Sequence, residues 1–373
     1  MFIFRLFGLT FLSDDVRKFK YLKIFRFVNL SWIVINLAIF VFLIISPSTQ
    51  IFSRNYLRMS QIIEIANYIF ALTANFVILI HSQMVRRKNE IWYEKLHQLD
   101  QHLIDKYRVE INHATLGWWN FWKVLITSII SVACFAINMK YALLDYNNFH
   151  PLLYVHNYFL KTIINLRYVQ NLIRIDFIKH HILAFHDAIR KVGEHNIVEW
   201  KIVLVLDTHN RKHQNPVRKI DDSNDILMFK RFYATLFESM KLLENCFGWS
   251  LLAMISFTFI DLTSNLYWLI IALLKLDPKI HLIDCLFEII PSVVTISCLI
   301  YSSFDASRKA KEVINSISKL YTNTTSCYNQ LIKEFLMQVQ HERIEISAND
   351  FFIVDFQLLT AVSLHKKRSQ PIW

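Results

Sequence analysis

The sequence predicts an all-α membrane protein that crosses the bilayer seven times, with its N-terminus in the cytosol. Three observations predict it. Of its 373 residues, 54% are apolar and 30 are Phe, well above an average soluble chain. Apolar runs of membrane-spanning length recur along it. Lys and Arg are concentrated in alternate connecting segments. The clearest run is residues 246–274, CFGWSLLAMISFTFIDLTSNLYWLIIALL, which carries one formal charge, Asp261. A helix of that length rises ~43 Å, more than the ~30 Å hydrocarbon core. It ends at Tyr267 and Trp268, followed by Lys275 and Pro278, as a span leaving the membrane does. Asp261 and Asn265 share one face, which must look at protein or water, since a carboxylate in lipid is costly.

Composition removes several classes of function. With 4 Gly the chain has no Gly-rich phosphate loop, and no G-x-G-x-x-G, Walker A, G-x-S-x-G or H-E-x-x-H occurs. No enzyme and no cofactor is expected. The five Cys (134, 246, 285, 298, 327) form no C-x-x-C pair and read as small buried residues. His180-His181 and the pair His209, His213 lack a completing ligand at metal spacing and read as solvated histidines. The net charge of +11 calls for no nucleic acid, because a basic membrane protein explains it.

The N-terminal MFIFRLFGLTFL has the apolarity of a signal peptide, but Arg5 interrupts it and no small-residue cleavage site follows. It reads as a retained interfacial helix. Residues 27–45 form the first span and close at Pro47. Residues 62–80 form the second, and residues 81–117 a basic, amphipathic cytosolic segment. The third span is 118–139. The fourth, 151–173, is the weakest, since it carries His156, Lys161 and Arg167. A long polar segment, 174–245, precedes the fifth span. The sixth, 282–304, contains Asp284, Glu288 and Pro291. Residues 305–350 are amphipathic and cytosolic, and 351–364 is a last apolar run. The whole is one seven-span domain, 1–373.

Lys and Arg number 30 in the segments assigned to the inner side and 5 in the outer ones; without segment 174–245 the ratio is 18 to 5. The N-terminus is therefore cytosolic and the outer loops are short. Asn323-Thr-Thr fits a glycosylation acceptor but falls inside, so it is expected to stay unused. The orientation is opposite to that of a G-protein-coupled receptor, the first alternative for a chain of this kind. A transporter, the second, finds no inverted repeat or paired broken helices.

Three stretches carry a resemblance to the insect gustatory receptors, of the superfamily that also holds the insect odorant receptors. Asn245-Cys246-Phe247-Gly248 with Leu251-Leu252 resembles the start of that family's fifth span. Residues 283–300 with Ala310-Lys311 resemble its sixth. Ala348-Asn349-Asp350-Phe351-Phe352-Ile353-Val354-Asp355 with Leu358-Leu359 resembles the opening of its seventh. One departure stands out. The family's seventh helix continues through a Thr-Tyr and Gln-Phe signature that lines the pore. Here Thr360 to Leu364 runs into His365-Lys366-Lys367-Arg368. Fourteen apolar residues give ~21 Å of helix, too short to cross. The tail reads as a truncated or mis-spliced end, with an isoform lacking a complete pore helix as the alternative.

The resemblance implies a taste receptor of the plasma membrane of sensory neurons: a ligand-gated cation channel in which four like or related subunits surround a pore. A non-conducting, partner-dependent subunit is the alternative. It also implies a tastant pocket between the outer halves of the helices. Helix direction then selects Glu64, Asn67 and Tyr68 on span 2, and Tyr154, His156, Asn157 and Tyr158 on span 4. On span 5 it selects Asp261, Asn265, Tyr267 and Trp268, and on span 6 Asp284 and Glu288. Aromatic faces with a few convergent polar groups suit a small-molecule site. Tyr267 and Trp268 fit an interfacial belt equally well. Phe352, Asp355, Leu358, Leu359 and Thr360 mark the start of the seventh helix by resemblance. In intact cells, an epitope fused to the N-terminus is expected to be unreactive towards antibody until the membrane is permeabilised; staining without permeabilisation would refute the orientation.

Overall fold

In hydrocarbon every backbone N–H and C=O must be satisfied within the protein, so apolar runs without Gly or Pro become long helices. The computed structural model describes residues 19–45, 59–144, 151–207, 220–274, 282–320, 326–349 and 351–355. Among them are eight helices: α1 (Phe19–Ile45), α2 (Met59–Met84), α3 (Arg86–Tyr107), α4 (His113–Leu144), α5 (Pro151–Asp207), α6 (Ile220–Leu273), α7 (Leu282–Ser318) and α8 (Ser326–His341). The expected retained N-terminal helix lies outside the described residues.

The helices outrun the spans expected from hydropathy. α5 has 57 residues and α6 has 54, so much of the polar stretch 174–245 continues the membrane helices. The reason is local. α5 opens on Pro151, whose fixed φ suits a first helical position, and meets no further Pro before Asp207. α2, α4, α6 and α7 each contain a stretch long and apolar enough to cross a membrane; α5 does not, and α1 offers a shorter apolar stretch, Leu30–Phe42. Yet α5 holds the centre, packing on α2, α4, α6 and α7. A helix with protein on every side can carry Lys161, Arg167, Arg174 and Asp176, because each finds a partner there. α1 and α4 lie at the rim, with Val34, Leu37, Trp119, Ile126, Ile129 and Val132 exposed as a lipid-facing surface requires.

The end of the bundle away from Pro151 is closed by α3 and α8 against the later half of α5 and the start of α6. Phe185 stacks on Phe232 at 4.7 Å and meets Phe229 edge-on at 5.7 Å, while Tyr233 and Phe335 lie 6.1 Å apart. α3 ends at Arg108, in the left-handed region at φ 50; Val109 N–H reaches back to Leu103 O at 3.2 Å, closing a Schellman-type turn. His181 is not solvated as the sequence suggested. It is buried, with Nε2 2.9 Å from Asp100 Oδ1, while His113 Nε2 lies 3.2 Å from the other carboxylate oxygen. His209 and His213 lie outside the described residues. Cys134, Cys246 and Cys285 are buried as expected; Cys298 is exposed.

The inner segment expected over 305–350 is two helices, the end of α7 and α8. The chain then folds back on α6. Ser347 and Ile353 form an isolated antiparallel bridge, and Glu244 Oε1 accepts Ser347 N–H at 2.9 Å. Residues 351–355, assigned from the sequence to the last span, form no helix; 356–364 lie outside the described residues. Gly248 is what lets this segment dock. A Cβ there would stand 2.8 Å from Asn349 Cβ and 2.9 Å from its backbone nitrogen. Gly248→Val should therefore lift residues 346–354 from α6, lower stability by about 1–3 kcal/mol and speed proteolysis at Arg343, whereas unchanged cleavage and melting would refute the docking role.

Candidate functional site

Four helices bring their polar residues to one place. Lys161 of α5 reaches Asp261 Oδ1 of α6 at 2.9 Å and Glu288 Oε2 of α7 at 2.8 Å. Asp261 also accepts Ser292 Oγ–H at 2.9 Å and Asn67 Nδ2–H at 3.2 Å. The Tyr158 hydroxyl donates to the other oxygen of Glu288. Asp261 is 1% exposed, so in this low-dielectric interior its charge stands only because a cation and two neutral donors hold it.

Apart from Asn67, these groups border a cavity of about 40 Å³. Ser131 and Cys134 of α4 and Thr162 and Asn165 of α5 complete the polar lining, and Phe287 and Pro291 of α7 give it apolar wall. Pro291 has a second role. Lacking an N–H, it frees the carbonyl four residues earlier, and the Cys134 thiol donates to that oxygen, on Phe287, at 3.5 Å. The break in one helix's bonding thus becomes a tie between α4 and α7 at the cavity wall. The cavity as it stands has room for a few ordered waters, each needing roughly 10–15 Å³ by this measure. A larger occupant must widen it.

The predicted residues divide sharply. Asn67, Asp261 and Glu288 are brought together. Glu64, Asn157 and Asn265 sit one turn from Asn67, Lys161 and Asp261, each displaced toward the end of the bundle that holds Pro151. Glu64 Oε2, Asn157 Oδ1 and Asn265 Nδ2 are buried there without a hydrogen-bond partner among the described residues. Tyr68 and His156 build a separate chain. Tyr68 OH lies 2.7 Å from His156 Nδ1, and His156 Nε2 lies 2.9 Å from Asn36 Oδ1, whose amide donates to Trp32 O at 2.7 Å. That orientation assigns the ring proton to Nε2, leaving Nδ1 to accept the phenol. Trp268 is half-buried, with its ring centre 5.3 Å from that of Tyr267, and is not among the residues that line the cavity. Tyr154 lies on α5 and Asp284 on α7, but their side chains are outside the described residues, as are Leu358, Leu359 and Thr360 altogether. Phe352 packs on the core, and Asp355 N–H bonds Ile353 O at 3.1 Å, in the docked segment far along α6 from the cavity.

Sequence reasoning passed over Lys161, which it counted only as a blemish in a weak span. The signal was present: a lysine within a span, in a chain whose other spans carry unpaired acids, is itself a site marker. Ser292, Cys134 and Asn165 gave no such signal.

The chain matches the 7tm chemosensory receptor family over residues 1–363. It belongs to that family. Gustatory receptor 23a of Drosophila melanogaster is 25% identical over 156 residues, a match spanning 41% of each chain. Two solved structures of the olfactory receptor OR5 from Machilis hrabei share the fold, with TM-scores of 0.60 and 0.61 at 10% and 11% identity. Each covers 97% of this receptor and 93% of OR5, and the second is a complex with eugenol. The receptor is thus an insect-type chemosensory membrane protein of the seven-helix fold, from a family of receptors and not of enzymes. Lys161→Met should cost roughly 3–5 kcal/mol by stranding two carboxylates, and adding Asp261→Asn should recover most of that; a melting curve in detergent that shows no recovery would separate the lysine from Asp261.

Proposed function

We propose that this receptor is a gustatory receptor subunit, a tastant-gated cation channel of the plasma membrane, with its tastant in the cavity between α4, α5, α6 and α7. The observation that carries the reading is the buried Asp261–Lys161–Glu288 triad around that cavity. Charges are placed inside a membrane bundle at a cost that structure alone rarely justifies. The eugenol complex of the fold relative supports a small molecule as ligand. A ligand acts by binding one state better than the other, and a cavity that must widen around its occupant supplies that difference. Phe352 and Asp355 lie in the segment that leads toward the expected pore helix, and Leu358, Leu359 and Thr360 would begin it. Assembly around a central pore, as a homo- or heterotetramer, belongs to the same proposal.

Patch-clamp recording of the receptor expressed in cultured cells, against a panel of small organic tastants, tests this. At least one compound should evoke a cation current, and Phe287→Ala should shift its dose dependence by about tenfold or more. Surface expression with no response to any compound, alone or with related subunits, would overturn the channel reading. A response indifferent to Phe287 would move the ligand elsewhere.

A further inference from the structure

We propose that the ligand this cavity selects is a small organic cation, a protonated amine, held by Glu288 and Tyr158. The proposal rests on the reading of the cavity as the ligand site and names its ligand class.

Charge is the first argument. Asp261 and Glu288 border the cavity, and Lys161 is the only cation among its described lining residues. The described lining thus carries two acids against one base, a balance that in a low-dielectric interior favours a cationic occupant over an anionic one. An anion would meet two carboxylates there.

Hydrogen-bonding capacity is the second. Behind the lining, Asn67 is 8% exposed and its amide nitrogen serves Asp261, while its Oδ1 has no partner among the described residues. One turn away, Glu64 Oε2 and Asn157 Oδ1 are also buried and unpartnered, against one unpartnered donor, Asn265 Nδ2. None of the four residues lines the cavity, so an ammonium group, which offers only donors, meets these acceptors only where the cavity widens around it.

The walls give the third argument. Lys161 Nζ lies 6.0 Å from the centre of the Tyr158 ring, so that face is already within reach of a cation, and Phe287 lines the same space. The two carboxylates differ in access. The Asp261 side chain is 2% exposed and the Glu288 side chain 22%, so Asp261 keeps Lys161 while Glu288 can share its charge with an incoming amine. α4, whose spanning stretch is the least buried of the four and which is tied to α7 here by the Cys134 thiol, is the wall that would yield to a larger occupant.

The test uses the full-length receptor in lipid nanodiscs. Thermal stabilisation and competition with radiolabelled phenethylamine are measured at neutral pH for primary alkylammonium ions from ethyl- to phenethylammonium. 3-Phenylpropanol and 3-phenylpropanoate serve as neutral and anionic counterparts of similar shape. Saturable binding of at least one ammonium ion is expected, lost at alkaline pH where the amine is uncharged, with the carboxylate inert. Glu288→Gln should weaken that binding by about tenfold or more, and Asn157→Asp, which adds negative charge beside the cavity, should strengthen it. The second variant decides the matter if the first fails to fold. If the alcohol binds as well as the amine and Phe287→Ala weakens both, the cavity remains the ligand site and the cation class is overturned. If no ammonium ion binds, or if binding ignores both substitutions, this proposal is overturned, while tastant currents sensitive to Phe287 would still uphold the receptor reading.

Discussion

A lysine held between two carboxylates inside a helix bundle ties three helices by charge alone. In lipid there is no hydrophobic force to press helix on helix, so packing and interhelical polar contacts must do it. Lys161 sits on α5, Asp261 on α6 and Glu288 on α7; Asn67 draws in α2 and Cys134 draws in α4. Every described helix that walls the cavity is connected to this one set of atoms. The set is stable only while complete, since each member alone would be a buried, uncompensated group. The same condition keeps the interior polar enough to hold water, and hence open to exchange.

The rim contrasts with this centre. α1 and α4 present Val34, Leu37, Trp119 and Ile129 outward, and each packs on the bundle along its other side. Their outer faces need only remain apolar, whereas α5 must match partners on five neighbours. Further along α5 the solution differs again. Arg167 and Arg174 are fully buried, with guanidinium carbons 4.4 and 4.0 Å from the centre of the Phe247 ring. Among the described residues, Arg167 donates to the neutral side chains of Gln170 and Ser250. Aromatic faces there take a share of the role that acids play at the cavity.

Much of this was legible in the sequence. The helices α2, α4, α6 and α7 follow from apolar length, and Asp261 and Glu288 stand out as acids in apolar helices. Hydropathy misjudged α5 because it scores a residue's liking for lipid, while α5 meets protein instead. It also placed helix ends where composition turned polar, although α5 and α6 run on until a Pro or an undescribed stretch intervenes. The pairing of Lys161 with residues 100 and 127 positions away depends on how the helices are arranged, which no local pattern encodes. His181 failed for the same reason, as its partner Asp100 lies on another helix. Residues 351–355 resembled a span by motif, yet their backbone is spent on the bridge to residue 347.

α6 has one more consequence. It is unbroken from Ile220 to Leu273, and it carries Asp261 at the cavity and Gly248 at the docked segment 346–354. Thirteen residues separate the two, ~20 Å of rod. A rod cannot slide or roll at one station and stay still at the other. The clearance at Gly248 is so small that even a slight roll of α6 would change how Asn349 seats. On the proposed reading of the cavity, the helix would act as a camshaft, turning side-chain rearrangement around a bound molecule into a displacement of the chain docked at Gly248.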